Sequence, residues 1–501
     1  MSDALDCDLL VVGGGINGAG IARDAAGRGL RVQLIEQHDL AAHTSSASTK
    51  LIHGGLRYLE QYELRLVREA LAERERLLAI APHIIRPLRF VLPYAPGMRP
   101  RWLLRLGLFV YDHLERREKL AASRELDLAT PEHAGLQQRY ARGFEYSDCW
   151  VEDSRLVVLN ALDAAERGAG IHPRMRLSSA QANGGQWLAD CVDDSGVTHR
   201  FRSRALVNAT GAWVNDCVAR CGLAPRAAVR LVKGSHLVFP RLYDGDHAYL
   251  LQNADRRVVF LIPYERDFTL VGTTDVPYAG DPAGPRIEPD EAQYLCDCAN
   301  RFLRTRIRPA DAVASYSGVR PLHDDGSAAQ AQQVSRDYRL ELQTDTGAPL
   351  LSVYGGKITT YRRLAEHALE LLLPALGADG ARWTAGEPLP GGDFAGGDLA
   401  RFTRESQARW SAVDPALVAR LARTYGTRMA RILGGARTMQ ELGQDFGLGL
   451  TRREVDYLVA QEWARTPEDV LVRRTRLGLR ADPALARELR DYFSTNARSI
   501  T

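Results

Sequence analysis

Asp8-Leu9-Leu10-Val11-Val12-Gly13-Gly14-Gly15-Ile16-Asn17-Gly18 is the stretch on which the fold turns. Its first five residues form a short apolar, partly β-branched run of the kind that fills a buried parallel strand. The run passes without a break into G-x-G-x-x-G. From Ala19 to Arg28 the composition is helical, Gly29 ends the helix, and Val32-Gln33-Leu34-Ile35 gives a second strand tipped by Glu36, twenty-three residues after Gly13. Together these predict a strand-helix-strand unit that binds a dinucleotide. Gly13 permits the tight turn, Gly15 lets backbone approach a pyrophosphate, and Gly18 lets the helix lie close on the strand, while the helix N-terminus faces the phosphates. Glu36 is placed to accept hydrogen bonds from an adenosine ribose. The pattern alone does not choose between a nicotinamide and a flavin dinucleotide.

The next residues bear on that choice. Thr44-Ser45-Ser46-Ala47-Ser48-Thr49-Lys50 brings a cluster of hydroxyls where a nicotinamide-binding domain would begin its next helix and strand. Such a segment can hydrogen-bond phosphates and a flavin edge, although standing alone it would read as a solvated loop. Far downstream, Arg204-Ala205-Leu206-Val207-Asn208-Ala209-Thr210-Gly211-Ala212-Trp213 reads as a strand into a small-residue turn. Leu350-Leu351-Ser352-Val353-Tyr354-Gly355-Gly356-Lys357-Ile358-Thr359-Thr360-Tyr361 repeats the theme, with a glycine turn and a Thr-capped helix start whose amides and dipole can face a flavin pyrimidine edge. Three strand-to-turn signals so far apart imply one discontinuous domain.

A chain of 501 residues exceeds a single ordinary core, so about three structural units are expected. Hydrophobic residues make up 45% and charged residues 25%, which excludes disordered and fibrous classes. A formal charge of +3, with no basic tail, argues against a nucleic-acid partner. Cys7, Cys149, Cys191, Cys217, Cys221, Cys296 and Cys298 are odd in number and form no C-x-x-C, so reduced packing thiols and no metal site are expected. Cys217 and Cys221 have helix spacing, and Cys296 and Cys298 have strand or loop spacing. Acidic residues at positions 3, 6 and 8 replace the positive start of a secretory signal, and no apolar run is long enough to span a bilayer.

The sequence resembles the FAD-dependent glycerol-3-phosphate dehydrogenases of aerobic bacteria, within the D-amino-acid-oxidase-like flavoproteins. The resemblance is carried by VVGGGINGAGIARDAAGRGL (11–30), TSSASTKLIHGGLRYLE (44–60), GFEYSDCWVEDSRL (143–156), VNATGAWV (207–214), KGSHLVFP (233–240), GTTDV (272–276), YSGVRPL (316–322), YGGKITTYR (354–362) and YLVAQEWAR (457–465). It runs essentially end to end. It implies an α/β fold: a discontinuous Rossmann-like FAD-binding domain (1–82, 145–230, 316–378), an inserted antiparallel-sheet substrate domain (83–144, 231–315) and a C-terminal α-helical domain (388–501). It also implies oxidation of sn-glycerol 3-phosphate to dihydroxyacetone phosphate, with electrons passed through non-covalent FAD to a membrane quinone, and a homodimer. The residues expected to hold FAD are Gly13, Gly15, Asn17, Gly18, Glu36, Thr44, Ser45, Ser46, Ser48, Lys50, Leu51, His53, Ala209, Gly211, Trp213, Gly356, Lys357 and Thr359.

A substrate with a phosphate dianion and a secondary alcohol needs cationic, preferably forked, donors and a group that takes the hydroxyl proton. Arg57, Arg320, Arg336 and Lys357 are the candidate cations. Arg57 and Arg320 follow Gly-Gly and Ser-Gly, where a loop can aim a side chain into a cleft. A surface ion pair is the commoner role for any one arginine. His53 and His236 are alternative bases, since imidazole titrates near working pH; Arg320 could instead stabilise an alkoxide electrostatically. Tyr58, Thr273 and Thr274 are placed to hydrogen-bond hydroxyls or to pack as strand residues. Lys357, with the helix start at Thr359, favours the negative charge of a reduced flavin or binds phosphate directly.

Between Ile84 and Lys119 eight basic residues face three acidic ones, and Trp102-Leu103-Leu104-Arg105-Leu106-Gly107-Leu108-Phe109-Val110-Tyr111 lies inside this island. It is too short to span a membrane and has the aromatic, leucine and arginine mixture of an interfacial helix. A buried helix with snorkelling arginines fits the same letters. With a quinone as acceptor, the expectation is a cytoplasmic protein bound peripherally to the inner-membrane surface. Pro388-Leu389-Pro390-Gly391-Gly392 reads as a linker, and the sequence beyond it has helical periodicity. A soluble oxidase passing electrons to oxygen and a non-catalytic flavin scaffold are the alternatives.

Overall fold

The computed structural model describes residues 4–61, 63–95, 98, 100–253, 255, 257–324 and 337–500, without the side chains of residues 57, 60, 61, 324 and 496–500. The opening strand, Leu5–Val12, is the centre of the first sheet. It pairs in parallel with Val32–Glu36 on one side and Thr198–Asn208 on the other, and the parallel set continues to Gly170–Pro173 and Leu350–Tyr354. Leu9, Leu10 and Val11 are fully buried, as a strand covered on both faces requires. Ile16–Gly27 packs against Asp153–Glu166 and Tyr361–Leu376 on this sheet, so chain separated by hundreds of residues builds one nucleotide-binding layer.

The second sheet is antiparallel apart from one parallel pairing, Ala248–Gln252 with Ile85–Tyr94. Its backbone is the long pair Ala228–Pro240 and Ala314–Asp324, registered Val232 to Arg320, Gly234 to Gly318 and His236 to Tyr316. Arg142–Val151 pairs with Ile85–Tyr94, and Leu51–Ile52 with Arg142–Val151. Residues 145–151, 228–230 and 316–324, assigned above to the nucleotide domain, therefore run in the second sheet. Their hydrogen-bond partners are strands distant in sequence, and an apolar strand reads alike in either sheet.

The C-terminal unit packs Leu399–Arg409, Pro415–Tyr425, Arg452–Glu462 and Pro483–Ile500 around Leu417, Val418, Leu421, Val455, Leu458 and Leu489. The stretch 388–392 is no free linker. Leu389 is fully buried with its amide on Ile80 O at 2.8 Å, and Gly391 sits so close to Tyr425 that a Cβ would lie 2.2 Å from its carbonyl oxygen. Cys296 and Cys298 lie on the helix Pro289–Asn300, which also corrects their strand or loop reading.

The basic island forms the helix Arg101–His113. Leu108, Tyr111 and Asp112 are buried, whereas Trp102 (67%), Leu103 (44%), Leu106 (51%) and Phe109 (57%) are exposed and share one side at helical spacing. No helix among the described residues is long and apolar enough to cross a membrane.

Candidate functional site: a dinucleotide groove ending in a cationic cluster

A groove opens where the strands Leu5–Val12, Val32–Glu36 and Thr198–Asn208 end. Gly13 adopts φ +114°, and a Cβ there would stand 2.4 Å from Ala209 O. A Cβ on Gly18 would stand 1.9 Å from Gly13 O, so helix and turn touch only because both residues are glycine. Gly15 caps Ile16–Gly27 without a side-chain bond and has only Ser45 Oγ nearby, 3.1 Å from a built Cβ. Its surroundings leave the helix N-terminus open to an anion.

Glu36 closes one end. It is buried and accepts Gly14 N at 2.6 Å and His38 N at 2.8 Å; burial nevertheless raises its pKa. His38 Nδ1 and His43 Nε2 hydrogen-bond at 2.8 Å, and His43 packs edge-on to Trp213. Burial lowers the His43 pKa to about 4. Donor atoms of Glu36, His38 and His43 all lie within 4.8 Å of one another, an arrangement that can hold a metal, but Glu36 is already engaged by two amides and the imidazoles by each other. Met175, Arg176, Leu177, Asp216 and Arg220 also line the groove; they lie in a strand and a short helix outside the glycine motif, so their spacing does not announce them.

At the other end stand Gly355, Gly356 and Pro321. Asn17 Nδ2 donates to Gly355 O at 3.1 Å, while its buried Oδ1 has no hydrogen-bond partner. A Cβ on Gly356, φ +98°, would lie 3.0 Å from Asn17 Nδ2. A glycine cradle, an unsatisfied buried amide oxygen and a ribose-type carboxylate fit a dinucleotide lying from Glu36 to Gly356. Ala209, Gly211 and Trp213 line the same groove.

The hydroxyl segment divides its labour. Ser45 Oγ accepts Ile16 N at 3.0 Å and Thr44 Oγ1 donates to Val319 O at 2.6 Å, both at the groove. Ser46 Oγ donates to His43 O. Ser48 and Lys50 bind Asp153 instead, at 2.7 and 3.0 Å, and neither lines the groove. Burial lowers the Lys50 pKa to about 8. Leu51 is buried in a strand pair with Trp150. Ser48 and Lys50 thus hold the loop from behind, because the acid that anchors them starts the helix Asp153–Glu166.

Arg320 and Lys357 each neighbour in sequence a residue of the second groove end, Pro321 and Gly356 respectively. Arg320 is a strand residue, not a loop residue as expected, and its guanidinium pairs with Asp275 and donates to Thr273 Oγ1 at 3.2 Å. A Cβ on Gly234 would be 2.4 Å from Arg320 Nη2, so the guanidinium lies across the strand where a side chain is missing. His236 stacks on Tyr316 and shares a 3.0 Å hydrogen bond with Thr49 Oγ1 through Nε2. Burial, then the nearby Lys50 and Arg320 charges, drive its pKa well below 6.5, which keeps the ring neutral. Thr274 Oγ1 donates to Glu291 at 2.7 Å and serves the sheet.

Lys357 Nζ lies 3.8 Å from the Tyr58 ring centroid. Thr359 Oγ1 accepts His53 N at 3.3 Å, tying that loop to the turn Ile358–Thr360. Thr360, not bonded to the helix amides through its side chain, is the residue before Tyr361–Leu376, so the Thr-capped start is absent. Arg336 and the Arg57 side chain lie outside the described residues. Asp275, Asp153 and the strand glycines 234, 272 and 318 were missed; a glycine inside a strand pattern is itself a sign of close approach.

Comparison with known proteins agrees with this geometry. Residues 8–362 match the family described as FAD dependent oxidoreductase, and residues 382–491 match the C-terminal domain of alpha-glycerophosphate oxidase. The chain is 52% identical to a glycerol-3-phosphate dehydrogenase of Pseudomonas aeruginosa over 491 residues, 97% of this chain and 95% of that one. It is 50% identical to the D-erythritol 1-phosphate dehydrogenase of Brucella abortus, over 95% of each. The crystal structure of a glycerol-3-phosphate dehydrogenase from Bacillus halodurans complexed with FAD superposes with a TM-score of 0.76 at 28% identity, covering 98% of this chain and 91% of that one.

Proposed function

Because the chain belongs to the FAD-dependent oxidoreductase family, we propose that it oxidises sn-glycerol 3-phosphate at C2 to dihydroxyacetone phosphate and passes the electrons to a membrane quinone. The carrying observation is the placement of Arg320 and Lys357, each one residue from the groove end formed by Pro321 and Gly356.

Arg320, braced by Asp275 and Thr273, presents a forked donor to the substrate phosphate. Lys357, held over Tyr58, adds a second positive charge. His236 carries a buried Nδ1 with no hydrogen-bond partner among the described residues, and this atom is the acceptor we assign to the C2 hydroxyl proton as the C2–H bond breaks. The register puts His236 and Arg320 on the same face of the sheet, which supports giving them neighbouring roles toward one substrate. FAD, when bound, accepts the hydride from C2. Gly318 lets loop 44–47 press on the sheet; a Cβ there would be 2.9 Å from Ala47 Cβ.

The exposed apolar side of Arg101–His113 supports attachment to the cytoplasmic face of the membrane, where a quinone is reached. The Brucella relative favours one further reading, a longer polyol phosphate as substrate. Anaerobic addition of each phosphate, followed by flavin absorbance, tests both. Bleaching by glycerol 3-phosphate, with turnover on a quinone analogue and little peroxide in air, is expected. Bleaching by D-erythritol 1-phosphate alone would replace the substrate, and peroxide formation at the turnover rate would replace the acceptor.

A further inference from the structure

The C-terminal unit reaches back to the cofactor groove through one short segment. Its turn Asp469–Arg474 ends in two arginines, and Arg476 follows. Arg473 Nε reaches Asp39 Oδ2 at 2.6 Å, and Arg474 engages both Asp39 oxygens at 2.8 Å. Arg476 pairs with Asp153 and Glu152. All of these groups are buried or nearly so.

Each acid anchors a loop that walls the groove. Asp39 lies three residues after Glu36, in a loop whose Ala41 N donates to Gly14 O at 3.1 Å. Arg174, whose amide donates to His38 O at 2.7 Å, reaches Asp469 at 2.6 Å and ties the same loop a second time. Asp153 holds Ser48 and Lys50, and Lys50 in turn donates to Ser46 O at 2.9 Å. Between Val32–Glu36 and Leu51–Ile52 the chain has no helix or strand, so its shape depends on these anchors. Buried ion pairs gain little net stability over apolar packing; what they impose is one geometry.

We infer that the segment 469–476 is a positioning device for the cofactor. Through Asp39 it fixes the start of the loop 37–50, beside Glu36, and through Asp153 the end of the same loop, so that FAD binding and docking of the C-terminal unit are coupled. The inference rests on FAD as the cofactor and not on the identity of the substrate. Arg473, Arg474 and Arg476 act through this loop and touch no reacting atom. Coupling between sites is reciprocal, so ordering the loop with FAD must also order the segment.

Amide exchange in the full chain, with FAD removed and restored, tests this without any substitution. Residues 465–476 are expected to exchange about tenfold more slowly with FAD, a coupling of the usual size. Asp39→Asn should weaken FAD binding by about 10- to 100-fold in a fluorescence titration and abolish that difference, with Arg474→Lys in between. Exchange in 465–476 that ignores FAD overturns the inference even if the variants fail to fold. So does an Asp39→Asn chain that binds FAD within about twofold of wild type. Neither readout involves substrate, so a failed turnover assay bears on the proposed reaction alone.

Discussion

Serine in place of Leu103, Leu106 and Phe109 removes three exposed apolar side chains from the helix Arg101–His113 and touches no core residue. Fully burying a side chain of this size is worth about 1.5–3 kcal/mol. These three are roughly half exposed, so membrane contact gains each about 1 kcal/mol and the set about 3 kcal/mol. That corresponds to a loss of roughly 100-fold in vesicle partition, since about 1.4 kcal/mol is tenfold. The electrostatic share is smaller, because Arg101 and Arg105 both pair with Glu125. Sedimentation with vesicles of mixed neutral and anionic lipid should show wild type pelleting and the triple variant in the supernatant, with salt releasing wild type only in part. The thermal midpoint should hardly move, as expected for exposed sites. Equal pelleting of both proteins would refute the surface assignment, and a large drop in midpoint would show that the helix is covered in solution.

Arg320→Ala should cost about 1.5–3 kcal/mol of charged hydrogen bonding, roughly 10- to 100-fold in kcat/KM, while FAD stays bound; stopped-flow flavin reduction within twofold of wild type would contradict the phosphate clamp. Gly15→Ala should fold, since a Cβ meets only Ser45 Oγ at 3.1 Å, yet lose FAD to steric block. Gly18→Ala should unfold at lower temperature even without FAD, because its Cβ would overlap Gly13 O; a yellow, stoichiometric Gly15→Ala protein would remove the pyrophosphate from that turn. His236 has a pKa well below 6.5 in the folded chain. Its contribution to stability is complete above 6.5 and is lost as pH falls toward the folded value, because the unfolded chain takes the proton first. Thermal midpoints at pH 6.5 and 5.5 should therefore converge in His236→Gln relative to wild type, and an unchanged difference would mean the ring is solvated.

The first strand, helix and second strand were legible because every signal in them is local: apolar run, glycine turn, helical composition and acidic tip sit in consecutive residues. The resumption of the sheet at Leu206 and Leu350 was legible for the same reason. Sheet membership of 145–151 and 316–324 was not, because the partners Ile85–Tyr94 and Ala228–Pro240 lie elsewhere in the chain. The exposure of Trp102 was not legible either, since an interfacial helix and a core helix with snorkelling arginines are written in the same letters. The pairing of Asp39 with Arg473 spans 434 positions, and no pattern in a sequence announces such a partner. Ser48 and Lys50 are expected from their residue types to bind the cofactor, but the partner they meet is the protein's own Asp153, over a hundred positions away.

The cationic end of the site shows why its two strand motifs were recognisable although their geometry was misread. Gly234 precedes His236 by two residues, and Gly318 precedes Arg320 by two. Alternation along a strand puts each glycine on the same face as its functional neighbour. Register then sets Gly234 against Gly318, so the two gaps meet in the middle of that face, with His236 and Tyr316 on one side and Arg320 on the other. The guanidinium crosses over Gly234, and Ala47 presses on Gly318. Neither fits beside a Cβ. A slip of one residue between these strands would send Arg320 and His236 to opposite faces. The separation of His236 and Arg320 is thus set by hydrogen-bond register in the sheet. A charged arginine that is about three-quarters buried holds one orientation here: its strand fixes where it starts, the missing side chain at 234 fixes its path, and Asp275 fixes where it ends.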